Sequence, residues 1–230
     1  MTYLRDLPRG IIISCQLEPG DPIQDVCFVV SMAKASVHAG AVAIRTNDAV
    51  HVKAVREVVD VPIIGLVKDR RYKAFITPTF EHAREVIEAG ADFIAIDSTR
   101  RERPVELETL FKRIRESFPH VGIIADIADE EDARSILCLK PDFIATTLSG
   151  YTSYTTHIAL PNTDLVRELS SKIDVPIIAE GGYATTEQVS QAFKSGAYAV
   201  VIGTAITRPW VSVRKYADAA REILKREGLL

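Results

Sequence analysis

The chain alternates, eight times over, between short apolar runs and longer segments with helical periodicity. The runs are rich in β-branched residues and are apolar almost throughout, rather than at every second position. That pattern predicts parallel strands that are covered on both faces. The predicted strands cover residues 11–15, 41–45, 61–67, 93–96, 121–125, 143–147, 175–179 and 199–202.

The segments between the runs predict helices, most clearly where apolar residues recur at helical spacing. The clearest helices cover residues 81–89, 105–118, 130–139 and 186–195, and a last one covers 211–226. Strand–helix alternation of this kind predicts a (βα)8 barrel of the TIM type. Since no linker or low-complexity segment interrupts it, we expect a single domain over residues 1–230. A doubly wound open sheet is the alternative.

An internal repeat favours the barrel over the open sheet. Residues 60–64 and 174–178 both read Asp-Val-Pro-Ile-Ile, and by our count they lie four strands apart. Two half-barrels of four units each produce such a repeat, whereas an open sheet does not require one.

Lys68 and Glu180 follow the two copies of this repeat. Because side chains of a strand alternate between faces, Lys68 shares a face with Ile64 and Leu66, and Glu180 shares one with Ile178. A cation and a carboxylate at the same ends of two related strands predict a paired acid and base. Barrel enzymes carry their chemistry at the carboxyl ends of the strands. Polar residues end or follow all eight runs: Gln16, Arg45, Lys68, Asp97, Asp126, Thr147, Glu180 and Thr204.

The last two loops carry small residues where an anion could approach the backbone. Gly181 and Gly182 follow the seventh run, and Gly203 and Thr204 follow the eighth. Many barrels bind phosphate at these two loops with backbone N–H groups. We therefore predict a phosphate site there; the alternative is that the glycines only make tight turns.

Composition narrows the class of protein. The chain has 230 residues, of which 47% are hydrophobic, and a net charge of -3. The sequence has no basic stripe of the kind that binds nucleic acid, so we expect no nucleic-acid partner. The cysteines (Cys15, Cys27, Cys138) are odd in number and lack CxxC spacing, which favours reduced thiols. The first ten residues contain no apolar run of signal-peptide length, and no stretch of the sequence is long enough to cross a bilayer. We expect a cytoplasmic protein with no membrane partner.

With these residues placed, the chain resembles the N-acetylmannosamine-6-phosphate 2-epimerase family. Several motifs occur in the family's order, which is more specific than any one of them. The matching stretches are residues 13–16, 43–47, 64–68, 76–79, 97–99 with 103–104, 125–127, 146–152, 179–181 and 205–209.

The resemblance implies an isomerase on a (βα)8 barrel. Its expected reaction interconverts N-acetylmannosamine 6-phosphate and N-acetylglucosamine 6-phosphate in sialic acid breakdown, without metal or organic cofactor. The family's catalytic residues fall on Lys68 and Glu180, and its substrate contacts fall on Gln16, Arg45 and Asp126. The predicted substrate-binding set also includes Thr147. The resemblance further implies a homo-oligomer, expected to be a dimer.

Epimerisation at C2 removes a proton from one face and returns one to the other. We assign these transfers to Lys68 and Glu180, with a lysine pKa lowered by burial and by Arg45. Three alternatives remain: the two residues form only an ion pair, the lysine forms a Schiff base in an aldolase acting on a phosphorylated sugar, or the barrel binds phosphosugars without catalysis. No histidine has metal-ligand spacing.

Five further residues have a structural as well as a functional interpretation. Asp126 could brace Arg45 or Lys68 instead of touching substrate, and Arg208 is expected to cap the last helix rather than bind phosphate. Cys15 should point away from Gln16 and pack. Tyr151 and Tyr154 are either parts of a lid or ordinary loop aromatics.

The last predicted helix has an apolar stripe. Val213, Tyr216, Ala217, Ala220, Ile223 and Leu224 lie on roughly one face. We interpret the stripe as the usual face turned toward the barrel. The end of the chain, residues 228–230, adds apolar surface that could contact another subunit.

Overall fold

A computed structural model describes residues 7–229, which form a closed barrel of eight parallel strands. The strands follow one another around the barrel in chain order, and β1 closes it by pairing with β8. The predicted (βα)8 fold is confirmed. That residues 1–230 form one domain stays a prediction. The strands are β1 (Gly10–Ser14), β2 (Ala43–Asn47), β3 (Ile63–Leu66), β4 (Phe93–Asp97), β5 (Gly122–Asp126), β6 (Phe143–Ala145), β7 (Ile177–Glu180) and β8 (Ala199–Ile202).

Helices follow the strands and include several that the sequence pattern did not single out, namely α1, α2, α6 and α8. They are α1 (Val26–His38), α2 (Ala49–Arg56), α3 (Phe80–Glu88), α4 (Leu107–Ser117), α5 (Glu130–Ser135), α6 (Thr163–Lys172), α7 (Thr186–Lys194), α8 (Thr204–Thr207) and α9 (Pro209–Arg226). None of the helices within residues 7–229 is long and apolar enough to span a membrane.

Local chemistry fixes where several helices begin. The side chains of Asp25 and Thr79 accept hydrogen bonds from first-turn N–H groups of α1 and α3. Thr185 and Gln188 form a complete capping box at the start of α7. Such side chains satisfy N–H groups that have no partner within the helix. Each of these three helices therefore begins at a defined distance from the end of the preceding strand.

Strand alternation divides the core into two layers. Ile12, Ile64, Ile124 and Ile178 are buried inside the barrel. Their chain neighbours, such as Ile13, are buried between the sheet and the helices. Both faces of each strand are thus covered by protein, which explains why the strands are apolar almost throughout.

One helix is shorter than predicted. Residues 130–139 were expected to form a single helix, but α5 ends at Ser135 and a separate 3₁₀ turn covers Leu137–Leu139. Lys140 then adopts a left-handed conformation with φ 52°, directly before Pro141. A residue before proline avoids the α-helical conformation, which explains why no helical turn continues into Lys140.

The last helix is present as predicted, but the prediction that its apolar stripe faces the barrel was wrong. None of the residues of α9 is buried. The stripe that we expected to face the barrel is open to solvent, with Val213 63% and Tyr216 78% exposed. Helical periodicity identifies an apolar face but not what covers it. Of the apolar end at 228–230, Leu229 is exposed, while Leu230 lies outside the described residues. So do residues 1–6, on which part of the signal-peptide argument rests.

Candidate active site

A cavity of about 520 Å³ opens at the carboxyl ends of the strands. Gln16, Lys68, Thr147 and Glu180 all line it, and they come from four different strand ends. Its volume lies within the range of small-molecule sites, roughly 300–1,000 Å³. The sequence predicted this end of the barrel for the site.

Strand register sets which polar side chains point inward. Arg45, Asp126, Thr147 and Glu180 each stand two positions after a residue of the inner core: Ala43, Ile124, Ala145 and Ile178 respectively. Because side chains alternate along a strand, each points to the barrel axis. β3 and β7 stand four strands apart in the ring of eight, so Lys68 and Glu180 approach the cavity from opposite walls.

Arg45 connects the acidic residues beneath the cavity. Its Nη1 and Nη2 atoms donate to Asp126 at 3.2 and 2.6 Å, and Nη1 lies 3.0 Å from Oε2 of Glu180. The Thr147 hydroxyl lies 2.7 Å from Asp126 and 3.1 Å from Glu180, so its one proton is shared between them. Arg45 and Asp126 are almost fully buried and do not line the cavity. The geometry matches the bracing interpretation of Asp126.

Glu180 is held on one side and open on the other. Its Oε2 atom contacts Arg45 and Thr147, whereas Oε1 accepts no hydrogen bond from residues 7–229. Burial raises the pKa of Glu180, and the Arg45 charge opposes that rise. A carboxyl group with a raised pKa exchanges its proton closer to neutral pH, as general acid–base work requires.

Lys68 pairs with Glu18, a residue that the sequence analysis did not single out. The Lys68 ammonium donates to Oε1 of Glu18, and Arg70 contacts Oε2 of the same carboxylate at 2.9 Å. Glu180 lies near enough to Lys68 for their charges to interact but forms no ion pair with it. The alternative of a simple Lys68–Glu180 ion pair is therefore wrong. Burial lowers the pKa of Lys68, as expected, and Arg45 adds to that effect.

Gln16 presents an acceptor without a partner. Its Nε2 group donates to the hydroxyl of Ser14 at 2.7 Å, while Oε1 is buried and has no hydrogen-bond partner among the described residues. A buried acceptor without a donor costs free energy, and a bound hydroxyl group would satisfy it.

The two glycine loops also line the cavity. Gly181 and Gly182 have positive φ values of 114° and 79°, and Gly203 is the N-cap residue of α8. A Cβ atom on Gly182 would lie 2.6 Å from the Cβ of Leu160. The missing side chain of Gly182 is therefore required by packing and backbone conformation, whatever binds in the cavity. At α8, the N–H groups of Ile206 and Thr207 donate to the carbonyl of Gly203, so only the first two N–H groups have no partner within the helix.

Several other predicted side chains have structural contacts. Asp97, at the end of β4, binds Thr99, Arg101 and the N–H of Phe75. Arg208 is the N-cap residue of α9 but makes no side-chain cap; it pairs with Asp21 at 2.9 Å instead, at the edge of the cavity.

Of the remaining candidates, some have only structural contacts and one lines the cavity. Cys15 is buried in the outer layer, as expected, and burial raises the pKa of its thiol to about 12. Tyr154 donates to Asp132 at 2.9 Å and lies outside the cavity lining. Tyr151 is 58% exposed and lines the cavity near Glu180. In residues 7–229 no group of three or more His, Cys, Asp or Glu side chains is arranged to hold a metal ion.

Comparison with known proteins matches this arrangement to one family. The family model described as "NanE: Putative N-acetylmannosamine-6-phosphate epimerase" matches residues 29–222. A relative from Caldanaerobacter subterraneus, named "Putative N-acetylmannosamine-6-phosphate 2-epimerase", is 43% identical over 226 residues, with 96% of this chain and 95% of the relative covered. The chain belongs to the N-acetylmannosamine-6-phosphate epimerase family.

Other members of the N-acetylmannosamine-6-phosphate epimerase family give the same result. A Staphylococcus haemolyticus relative of the same name is 41% identical over 222 residues, covering 94% of this chain and 99% of the relative. A solved structure of the N-acetylmannosamine-6-phosphate 2-epimerase from Clostridium perfringens has a TM-score of 0.89 and 31% identity over 94% of this chain and 96% of its own. The family resemblance inferred from the motifs is confirmed.

Proposed function

We propose that this protein is an epimerase that interconverts N-acetylmannosamine 6-phosphate and N-acetylglucosamine 6-phosphate by deprotonation and reprotonation at C2. One observation carries the proposal: Lys68 and Glu180 line one cavity from opposite walls of the barrel. Inverting a carbon requires a proton to leave one face and another to arrive at the opposite face. Two proton-transfer groups on facing walls meet that requirement.

The reaction begins with the open-chain sugar, because the C2 hydrogen is acidic only beside a free C1 aldehyde. One of Lys68 and Glu180 removes the C2 proton, and negative charge spreads onto the C1 oxygen. The other group then protonates C2 from the opposite face. Burial lowers the pKa of Lys68 and raises that of Glu180, so the two pKa values lie closer to each other than in water, as paired proton transfer favours.

Arg45 and Asp126 support Glu180 from below. The Arg45 guanidinium is fixed by two hydrogen bonds to Asp126 and directs one oxygen of Glu180 away from the cavity. The other oxygen is then free to face substrate. Since neither Arg45 nor Asp126 lines the cavity, their direct contact with substrate stays a prediction. Gln16 and Thr147 line it, and we assign substrate hydroxyl groups to them.

The substrate phosphate is assigned to the two loops after β7 and β8. Gly181, Gly182, Gly203 and Thr204 lie at one end of the cavity, and the first N–H groups of α8 are available there. Lys215 of α9 lines the same cavity and adds positive charge. A dianionic group would find hydrogen-bond donors and a cation together at this end.

The decisive experiment follows C2 by proton NMR in D₂O with N-acetylmannosamine 6-phosphate. We expect N-acetylglucosamine 6-phosphate to form with deuterium at C2. Conversion without deuterium uptake would contradict proton exchange. If neither conversion nor exchange occurred, borohydride trapping on Lys68 would test the Schiff-base alternative.

The Lys68→Met variant tests the lysine role. Methionine keeps most of the side-chain volume and removes the amine, so we expect activity to fall by about 10²–10⁴-fold, the usual contribution of a general acid or base. Lys215→Met, at the phosphate end, should weaken substrate binding instead. Parent-rate turnover by Lys68→Met would overturn the assignment.

We also infer a homodimer that acts in the cytoplasm in sialic acid breakdown. The exposed apolar stripe of α9 supports the dimer, since a second copy could cover it. The three cysteines form no disulfide among the described residues, which supports a reducing compartment. The substrate named for the family supports the pathway.

A further inference from the structure

Glu18 occupies a position that the proposed reaction does not by itself require. It lies in the connection between β1 and α1, fifty residues before Lys68 in the chain. Its two carboxylate oxygens each bind one cation: Oε1 accepts from Lys68, and Oε2 accepts from Arg70 at 2.9 Å. Its side chain is 18% exposed. A carboxylate held between two cations in a partly buried place is favourable only in a defined geometry.

The loop around Glu18 is built to keep it in place. Its N–H donates to the carboxylate of Asp21 at 2.8 Å, and its carbonyl accepts from the N–H of Asp21 at 3.0 Å and from Gln24 at 2.8 Å. Asp21 is itself fixed by Arg208 at 2.9 Å. Three hydrogen bonds to its backbone fix the main chain of Glu18, and the contacts with Lys68 and Arg70 then hold its carboxylate.

Glu18 also forms part of the wall between two cavities. Together with Lys68 and Arg70 it lines both the main cavity and a second cavity of about 340 Å³. The Lys68 amine is therefore held in the wall between two spaces, at a point set by Glu18. Without this contact the flexible lysine side chain would have several rotamers open to it.

We propose that Glu18 is a positioning residue of the active site, whose carboxylate fixes the Lys68 amine at the cavity wall and favours its ammonium form. The inference rests on the proposed function, because it assigns to Glu18 an action on the lysine that transfers the C2 proton. Glu18 itself needs no contact with substrate for this role.

The charges around Lys68 determine what each substitution should do. Burial lowers the pKa of Lys68, the Glu18 carboxylate raises it, and Arg45 and Arg70 lower it further. Lys68 and Arg70 in turn hold the pKa of Glu18 below its usual value, although burial alone would raise it. The other groups that face Lys68 are Glu180 from β7, Asp48 after β2 and His51 of α2 across the second cavity.

Two substitutions should therefore move the Lys68 titration in opposite directions. Glu18→Gln keeps the shape and an acceptor oxygen but removes the negative charge. It should lower the pKa of Lys68 by about one pH unit, the lower end of the effect of an adjacent opposite charge. Arg70→Gln removes a repelling cation and frees Glu18 for Lys68 alone, so it should raise the same pKa. If Glu18 only packed the loop, the two substitutions would not shift the pKa of Lys68 in opposite directions.

The experiment measures the reactivity of Lys68 directly in the protein without substrate. Trace acetylation with acetic anhydride across a pH series, followed by mass spectrometry of the Lys68 peptide, gives the titration curve of that amine. Glu102→Gln is the matched control, because Glu102 also binds a lysine, Lys73 at 2.8 Å, but on the open surface. It should leave the Lys68 curve unchanged.

Glu18→Asp completes the series. It keeps the charge and shortens the reach, so the Lys68 curve should stay closer to that of the parent than in Glu18→Gln. The alkaline limb of kcat/KM should follow the same order across the variants. A Lys68 curve that is unmoved in Glu18→Gln, or that moves in the same direction in Arg70→Gln, would overturn the proposal.

The acetylation curves and the epimerase assay separate the two claims. Opposite shifts in a protein without epimerase activity would support the action of Glu18 on Lys68 and refute the proposed function. If the parent enzyme is active but its Lys68 titration curve does not change in Glu18→Gln, the proposed function is supported and the action of Glu18 on Lys68 is refuted. Thermal melting of each variant confirms that folded protein is compared.

Discussion

At the scale of single residues, the buried charges beneath the cavity are mutually dependent. Arg45 is 2% exposed and Asp126 is fully buried, so each side chain is the ion-pair partner of the other away from water. An ion removed from water is costly unless its partner and hydrogen bonds replace the lost solvation. The Arg45 guanidinium serves two carboxylates at once, which makes it the residue on which the network depends.

Arg45→Met should therefore destabilise the protein by about 3–5 kcal/mol, the usual effect of leaving a buried charge without its partner. The double variant Arg45→Met/Asp126→Leu should recover most of that loss, because no unpaired charge from this pair remains. Urea unfolding measures both free energies. A double variant less stable than Arg45→Met alone would contradict the argument. Neither variant should be a good epimerase, since Glu180 loses its support.

Sequence patterns identified Lys68 and Glu180 but not the contacts that surround them. Strand alternation and the repeat put both at the cavity, because a strand fixes the direction of every second side chain. Glu18 stands in a loop, where direction depends on contacts such as those with Asp21 and Gln24. No periodicity encodes those contacts. That is why the partner of Lys68 emerged only from the structure.

At the scale of elements, connections decide the shape of the cavity. The β3–α3 connection folds back on itself: Lys68 forms an antiparallel bridge with Ile76, and Asp69 binds Arg71 and His82. This connection carries Arg70 to the cavity. On the opposite side, the β7–α7 connection packs Gly182 against Leu160.

Gly182→Ala tests that packing. The backbone there has φ 79°, and the new methyl group would lie 2.6 Å from the Cβ of Leu160. Gly40→Ala is the matched control: Gly40 has φ 103°, lies between α1 and β2, and a methyl group added there would have no described atom within 4 Å. We expect Gly40→Ala to cost about 1–2 kcal/mol of unfolding free energy from backbone strain.

Gly182→Ala should cost about 1–3 kcal/mol more than that control, because overlap with Leu160 adds to the strain. Thermal or urea unfolding measures the difference. Equal losses of unfolding free energy in the two variants would mean that Leu160 moves aside without cost. Only the backbone conformation would then require the glycine. Truncation of Leu160 in the Gly182→Ala background should return part of the loss.

At the scale of the whole molecule, α9 departs from the pattern of the other helices. Its first turn is anchored, since Trp210 lies against Phe28 of α1 with ring centroids 5.9 Å apart. The remainder contributes no buried residue. The sequence could show that α9 is amphipathic, yet it could not show that the apolar face points away from this barrel. What covers a helix face is a property of the assembled molecule.

A second copy of the chain should cover the exposed stripe of α9. Val213 and Ile223 are 63% and 53% exposed, so burying what remains exposed contributes roughly 1–2 kcal/mol per side chain. We expect light scattering to give twice the 25.4 kDa mass of one chain. Tyr216→Asp would bring a charge into the interface and should give single chains at the same concentration, because an unpaired buried charge is strongly unfavourable. Lys225→Asp, on the opposite, polar side of the helix, should leave the mass unchanged. A parent protein with the mass of one chain would show that solvent alone covers this face and would remove the dimer.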